Sequence, residues 1–182
     1  MDFILPLENK KPSDEKLLKT LQAKLSEGER ELFRIVTDLS PDGNYGDSVV
    51  EFTDKKITAV YNGESGEVES LSVSYDEIDG LSIKRMYGNA FLLAIMKSGK
   101  KAELARATYA VTALFNAAVL FADKIIAGTP IDEAVEGVET AYRSFCTVCP
   151  KCGRKLVRPG ADCLNCASKG RLVSKLAKYV KP

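Results

Sequence analysis

The period of the apolar positions changes twice along the chain. Near the N-terminus Leu17, Leu18, Leu21 and Leu25 recur at helical spacing behind Ser13-Asp14-Glu15. Ser13 is placed to cap that helix, the two acids suit its positive end, and Gly28 is placed to stop it. From Arg30 the pattern shortens to extended runs over residues 31–38, 48–53, 57–61, 67–75, 80–86, 90–97 and 101–106. Pro41-Asp42-Gly43-Asn44, Asn62-Gly63, Gly88-Asn89 and Ser98-Gly99 break the runs with turn chemistry. Seven strands this closely spaced predict a small barrel or sandwich.

The helical period then returns. Thr108 is expected to cap a helix of about 18 residues. Its apolar positions Val111, Leu114, Phe115, Val119, Leu120, Phe121, Ile125 and Ile126 go most of the way round, so burial on more than one side is expected, with the helix plugging the open end of the barrel. Thr129-Pro130 opens another helix, with Ile131, Ala134, Val135, Val138, Ala141, Tyr142 and Phe145 as its stripe. Residues 168–180 read as a basic amphipathic helix, with Leu172, Val173, Leu176 and Val180 on one face and Lys169, Arg171, Lys175 and Lys178 elsewhere. Residues 1–12 and 157–162 look linker-like. The fold class is therefore α+β. The expected division is 1–28 (helical segment), 29–128 (β domain with capping helix), 129–146 (connecting helix), 147–167 (cysteine-rich unit) and 168–182 (basic helix).

Composition adds an asymmetry. The 182 residues carry a formal net charge of +1, yet residues 1–145 hold 17 Lys/Arg against 24 Asp/Glu, and residues 146–182 hold 9 against one, Asp162. The basic end has three candidate neighbours: nucleic acid, an anionic membrane surface, or the acidic part of its own chain. The chain has no histidine, which excludes Ser-His-Asp and Cys-His catalysis and every His-ligated metal site. No signal peptide is legible, and the apolar run over 109–122 falls short of the ~20 residues that span a bilayer.

All five cysteines fall between Cys146 and Cys166. Paired as Cys149-x2-Cys152 and Cys163-x2-Cys166, they give two C-x2-C turns joined by a short polar loop, the spacing of a four-cysteine zinc site. Two intervening residues let both sulfurs of a tight turn face one ion. Gly153 follows the first turn, where a left-handed backbone is often needed, and Pro150 stiffens it. Ala167 stands in the matching place of the second. Cys146-x2-Cys149 is the competing pair, but Cys-Pro-Lys-Cys-Gly has the better turn chemistry, and Cys146 at the end of the apolar stripe suits a buried, inert thiol. Disulfides are disfavoured for a chain in a reducing compartment. Iron would suit the same four sulfurs, but zinc is the commoner structural ion. A closed shell of four cysteines leaves no open position to activate water, so the ion is structural.

Other motifs read blandly. Ser98-Gly99-Lys100-Lys101 lacks the spacing of a Walker A loop and suits a hairpin turn. Asp76, Glu77 and Asp79, like Glu27, Glu29 and Glu31, suit solvated turns and strand edges. Tyr45 and Tyr61 suit core or turn packing. No catalytic constellation is present.

The stretches GERELFRIVTDLSPDGNYGDSVVEFTDKKITAVY, YDEIDGLSIKRMYGNAFLLAI and KAELARAT, followed by CPKCGRKLVRPGADCLNC and a basic segment ending Lys178-Tyr179-Val180-Lys181-Pro182, resemble the N-terminal region of some bacterial ABC exporters. The resemblance runs from about Gly28 to Pro182. It implies a PH-like domain, a zinc ribbon holding one structural Zn2+ on Cys149, Cys152, Cys163 and Cys166, and a basic helix leading to a membrane domain. It implies as partners the transmembrane and ATP-binding domains of a parent transporter, and the membrane surface beside Lys169, Arg171, Lys175 and Lys178, at the cytoplasmic face of the cell membrane. A homodimer is a further candidate. No Walker or ABC signature motif occurs in this chain. The connection around Asp38 and Asp47 is acidic and would repel an inositol phosphate. The resulting expectation is a non-enzymatic accessory region. The alternative is a stand-alone zinc-ribbon nucleic-acid binder, disfavoured because residues 146–182 hold no Phe and a single Tyr for base stacking.

Overall fold

The computed structural model of the protein describes residues 6–167. The elements are β1 (Leu7–Glu8), α1 (Glu15–Lys24), β2 (Glu31–Leu39), β3 (Tyr45–Thr53), β4 (Lys56–Asn62), β5 (Val68–Ser74), β6 (Ile78–Met86), β7 (Asn89–Met96), β8 (Lys101–Thr108), α2 (Thr112–Ile126) and α3 (Ile131–Arg143). All seven expected strands form, and β1, which pairs with β2, adds an eighth that was not expected. The seven make one sheet in the order β5-β4-β3-β2-β8-β7-β6, every neighbouring pair antiparallel. The outer strands β5 and β6 are joined by a 3-10 turn, Tyr75–Glu77, and α2 packs across β6 and that turn. Register shifts in β2, β6 and between β7 and β8 bend the sheet around its core.

The core is aromatic at its centre. Phe33 and Phe52 stack with centroids 4.3 Å apart, and Phe121 of α2 meets Phe33 edge-on at 5.2 Å and Tyr75 at 6.1 Å. A smaller cluster lies on the opposite face of the sheet, where Leu17 and Leu21 of α1 cover Val36, Val49 and Val60.

Several local expectations are corrected. Residues 7 and 8 are not linker: Leu7–Glu8 pairs in parallel with Phe33 and Arg34 of β2. Two residues are too few to show alternation. Asp14, not Ser13, caps α1, because the Ser13 amide and hydroxyl are both taken by Asp47. Thr108 ends β8 instead of capping α2, since its amide and hydroxyl donate to Asp38. The helix accordingly starts three residues later and has 15 residues. Within it Leu120 and Ile126 face outward, 44% and 36% exposed. Thr129 makes no capping bond; Pro130 takes the N-cap place of α3. Tyr45 is 87% exposed, not packed.

Strand β2 is the hub. Arg34 donates from Nε to Glu51 of β3 (2.7 Å), from Nη1 to Glu8 of β1 (2.7 Å) and from Nη2 to Glu31 (2.9 Å). Glu51 is 1% exposed, so it depends on this partner. Arg34→Met is expected to cost about 3 kcal/mol by urea unfolding, because it strands a buried carboxylate, and adding Glu51→Leu should recover most of that loss.

Candidate metal centre

The cysteine-rich unit is fixed to β2 through a chain of hydrogen bonds. The Asn9 side chain, 5% exposed, donates to the Val36 carbonyl (2.9 Å) and accepts from the Val36 amide (2.8 Å), as a strand residue would. The Asn9 carbonyl then accepts from both the amide (3.1 Å) and the hydroxyl (2.5 Å) of Thr147. From α3, the buried Tyr142 hydroxyl donates to the Arg34 carbonyl. The first residue of the unit is thus tied to the sheet before the first ligand candidate is reached.

Beyond Thr147 the backbone folds into a tight hairpin. Val148 and Lys155 form an antiparallel bridge, Cys149 N–H donates to the Arg154 carbonyl (2.7 Å) and Gly153 N–H to the Cys149 carbonyl (2.7 Å). Gly153 has φ +67°, the left-handed conformation its place demands. The second turn solves the same problem differently: residues 164–167 form one helical turn and the Ala167 amide donates to the Cys163 carbonyl (2.9 Å). Ala167 therefore needs no positive φ. Between them Gly160 donates to the Cys146 carbonyl (3.0 Å), and a Cβ there would lie 2.6 Å from the Ser144 carbonyl oxygen.

This backbone brings four sulfurs together. The Sγ atoms of Cys149, Cys152, Cys163 and Cys166 all lie within 4.8 Å of one another. Cys149 and Cys166 are 3.9 Å apart, Cys152 and Cys163 3.6 Å. No disulfide joins them. A tetrahedral ion with metal–sulfur bonds of ~2.3 Å needs sulfurs ~3.8 Å apart, so the set fits one such ion. As free thiols they share protons unevenly. The Arg154 amide draws Cys152 down to about 6, and Cys166, beside the Cys152 sulfur, is pushed up to about 12. Cations surround the cluster: Lys151, Arg154, Lys155 and Arg158 are exposed around it, and Lys11 approaches Gly153.

Cys146 stands apart. It is 1% exposed, its sulfur lies 3.6 Å from the Tyr142 carbonyl oxygen, and burial pushes its thiol up to about 11. Gly99, at φ +78°, makes the β7–β8 turn. Glu77 accepts from the Ser74 amide, Glu29 pairs with Lys56, and Tyr61 donates to Glu69. The acids flanking the β2–β3 hairpin are engaged, Asp38 by Thr108 and Asp47 by Lys10. Lys169, Arg171, Lys175 and Lys178 lie outside the described residues. The sequence offers no local signal for Asn9, Lys11 or Thr147. No helix among the described residues is long and apolar enough to cross a membrane.

No family model matches the chain, and no curated protein matches it. Among solved structures it is similar to a DUF1696 family protein with a pleckstrin-homology domain from Shewanella loihica PV-4. That chain is 18% identical, with a TM-score of 0.34, and the match covers 50% of this chain and 79% of that one. It is also similar to a pleckstrin homology domain from Shewanella amazonensis SB2B, 19% identical with a TM-score of 0.39, covering 57% of this chain and 83% of that one.

Serine at Cys149, Cys152, Cys163 or Cys166 should abolish stoichiometric metal in the purified protein, whereas Cys146→Ser should keep it. Acid should release the ion, as protons compete with it for the four thiolates. Hydrogen exchange on the chelated protein should then show lost protection at Thr147 and Leu156.

Proposed function

We propose that this chain is a non-enzymatic docking region: a PH-like domain whose sheet edge carries a zinc ribbon as a rigid extension. The observation that carries the reading is the convergence of four thiols, at tetrahedral spacing, on a hairpin hydrogen-bonded through Asn9 to β2. The PH-like assignment is supported by seven antiparallel strands in the order β5-β4-β3-β2-β8-β7-β6 with α2 laid over the gap between the outer two. Zinc is favoured by the donor set, four sulfurs in a closed shell. Cys149, Cys152, Cys163 and Cys166 would hold it, and it would supply folding energy, on the order of 10 kcal/mol in zinc-finger peptides.

On the resemblance set out from the sequence, the finer reading is the N-terminal cytoplasmic region of an ABC exporter, with residues 168–182 leading toward the membrane part. The reading frame downstream of Pro182 tests it: about six apolar spans followed by a Walker A motif are expected, and a stop codon there overturns it. Elemental analysis should find one zinc per chain, with no iron. Salt-dependent binding of the zinc-loaded protein to DNA or RNA would favour the nucleic-acid reading instead.

A further inference from the structure

We propose that the β6–β7 hairpin is a lipid-contacting tip that docks on an anionic bilayer surface. Met86 pairs with Asn89, so the connection is the two residues Tyr87-Gly88, with φ of 49° and 83°. A two-residue turn with both φ positive suits Asn-Gly, because a larger side chain crowds the backbone there. Tyr87 is the one non-glycine residue with positive φ among the described residues. Its ring does not compensate by packing, since the side chain is 94% exposed. A strained residue that the fold neither needs nor covers points to a use outside the fold.

The surroundings define that use. Lys84, Arg85 and Met86 are exposed beside it. Neither Lys84 nor Arg85 forms an ion pair with a described residue. Asn89 pairs with Thr108, which brings Tyr109, 56% exposed, to the same end of the sheet. The stretch from Ser82 to Phe91 contains no acid, although acids outnumber cations 24 to 17 over residues 1–145. The hairpin thus presents cations and an exposed tyrosine on an acidic body, with Asp38, held by Thr108, and Glu103, within electrostatic reach of Lys84, as the acids beside it. A tyrosine ring with a wet hydroxyl and a methionine suit the bilayer interface, and the two cations suit anionic headgroups. The acidic body would be repelled, which orients the molecule tip-first. The ribbon offers exposed cations too, but the four sulfurs beside them, once ionised, offset part of their charge. The proposal needs neither the metal nor an exporter parent.

The chain has no tryptophan, so Tyr87→Trp installs a single reporter. On vesicles of equal phosphatidylserine and phosphatidylcholine, its emission should shift to the blue and be quenched by brominated lipid. On phosphatidylcholine alone neither should occur. Val157→Trp, at a ribbon position 77% exposed, is the comparator. A response at 157 without one at 87, or at neither, overturns the proposal, the former assigning lipid contact to the ribbon or the segment after it. Lys84→Gln with Arg85→Gln should weaken vesicle affinity about tenfold or more. Tyr87→Gly relieves the backbone, so its melting temperature should equal or exceed that of the parent while vesicle affinity falls severalfold; unchanged affinity overturns the proposal.

Discussion

Strand β2 has more edge than its neighbour can cover. On one side β3 pairs along its whole length, while on the other β8 reaches it at Leu39 alone. Buried backbone amides and carbonyls must nevertheless find partners. The gap is filled piecemeal, by the two residues of β1, by the Asn9 side chain at Val36 and by the Tyr142 hydroxyl at the Arg34 carbonyl. Each filler belongs to a part outside the barrel. One unmet run of hydrogen bonds therefore recruits the N-terminus, α3 and, through Thr147, the cysteine hairpin.

The same edge separates two kinds of cysteine. Cys146, three residues past the end of α3, lies inside the core, where the low dielectric keeps its thiol protonated. Three residues on, Cys149 is buried as well, and Cys152 is exposed beside a backbone amide that favours its thiolate. The fold of the hairpin, which gathers the sulfurs of Cys149, Cys152, Cys163 and Cys166 within 4.8 Å, divides Cys146 from the cluster although both C-x2-C spacings exist in the sequence.

Much of this was legible in the sequence, and the exceptions share a cause. Strands β2 to β8 announced themselves because turn residues such as Asn62-Gly63 and Ser98-Gly99 act locally. The four converging cysteines were legible because a tight turn fixes its own sulfurs. Failures arose where a residue's role is decided at a distance. Thr108 has the chemistry of a cap, but Asp38, seventy residues away, takes both its donors. Ser13 lost its capping role to Asp47 in the same way. Leu120 looks like core by type and faces solvent because α2 covers one side of the sheet only. Asn9 gave no signal, since a side-chain amide acting as a strand residue has no periodicity.

Gly160 closes the loop between the two cysteine pairs, donating to the Cys146 carbonyl with no room for a side chain against Ser144. The hairpin is thereby pinned at both Thr147 and Gly160, and Cys166 comes last of the four sulfurs before the basic stretch. A shared ion would carry tension from that stretch across to Cys149 and into the sheet edge, leaving the aromatic core unloaded. With an ion bound, the unit would be stiff under such a pull, its weakest element the sulfur bonds that acid or chelation can undo.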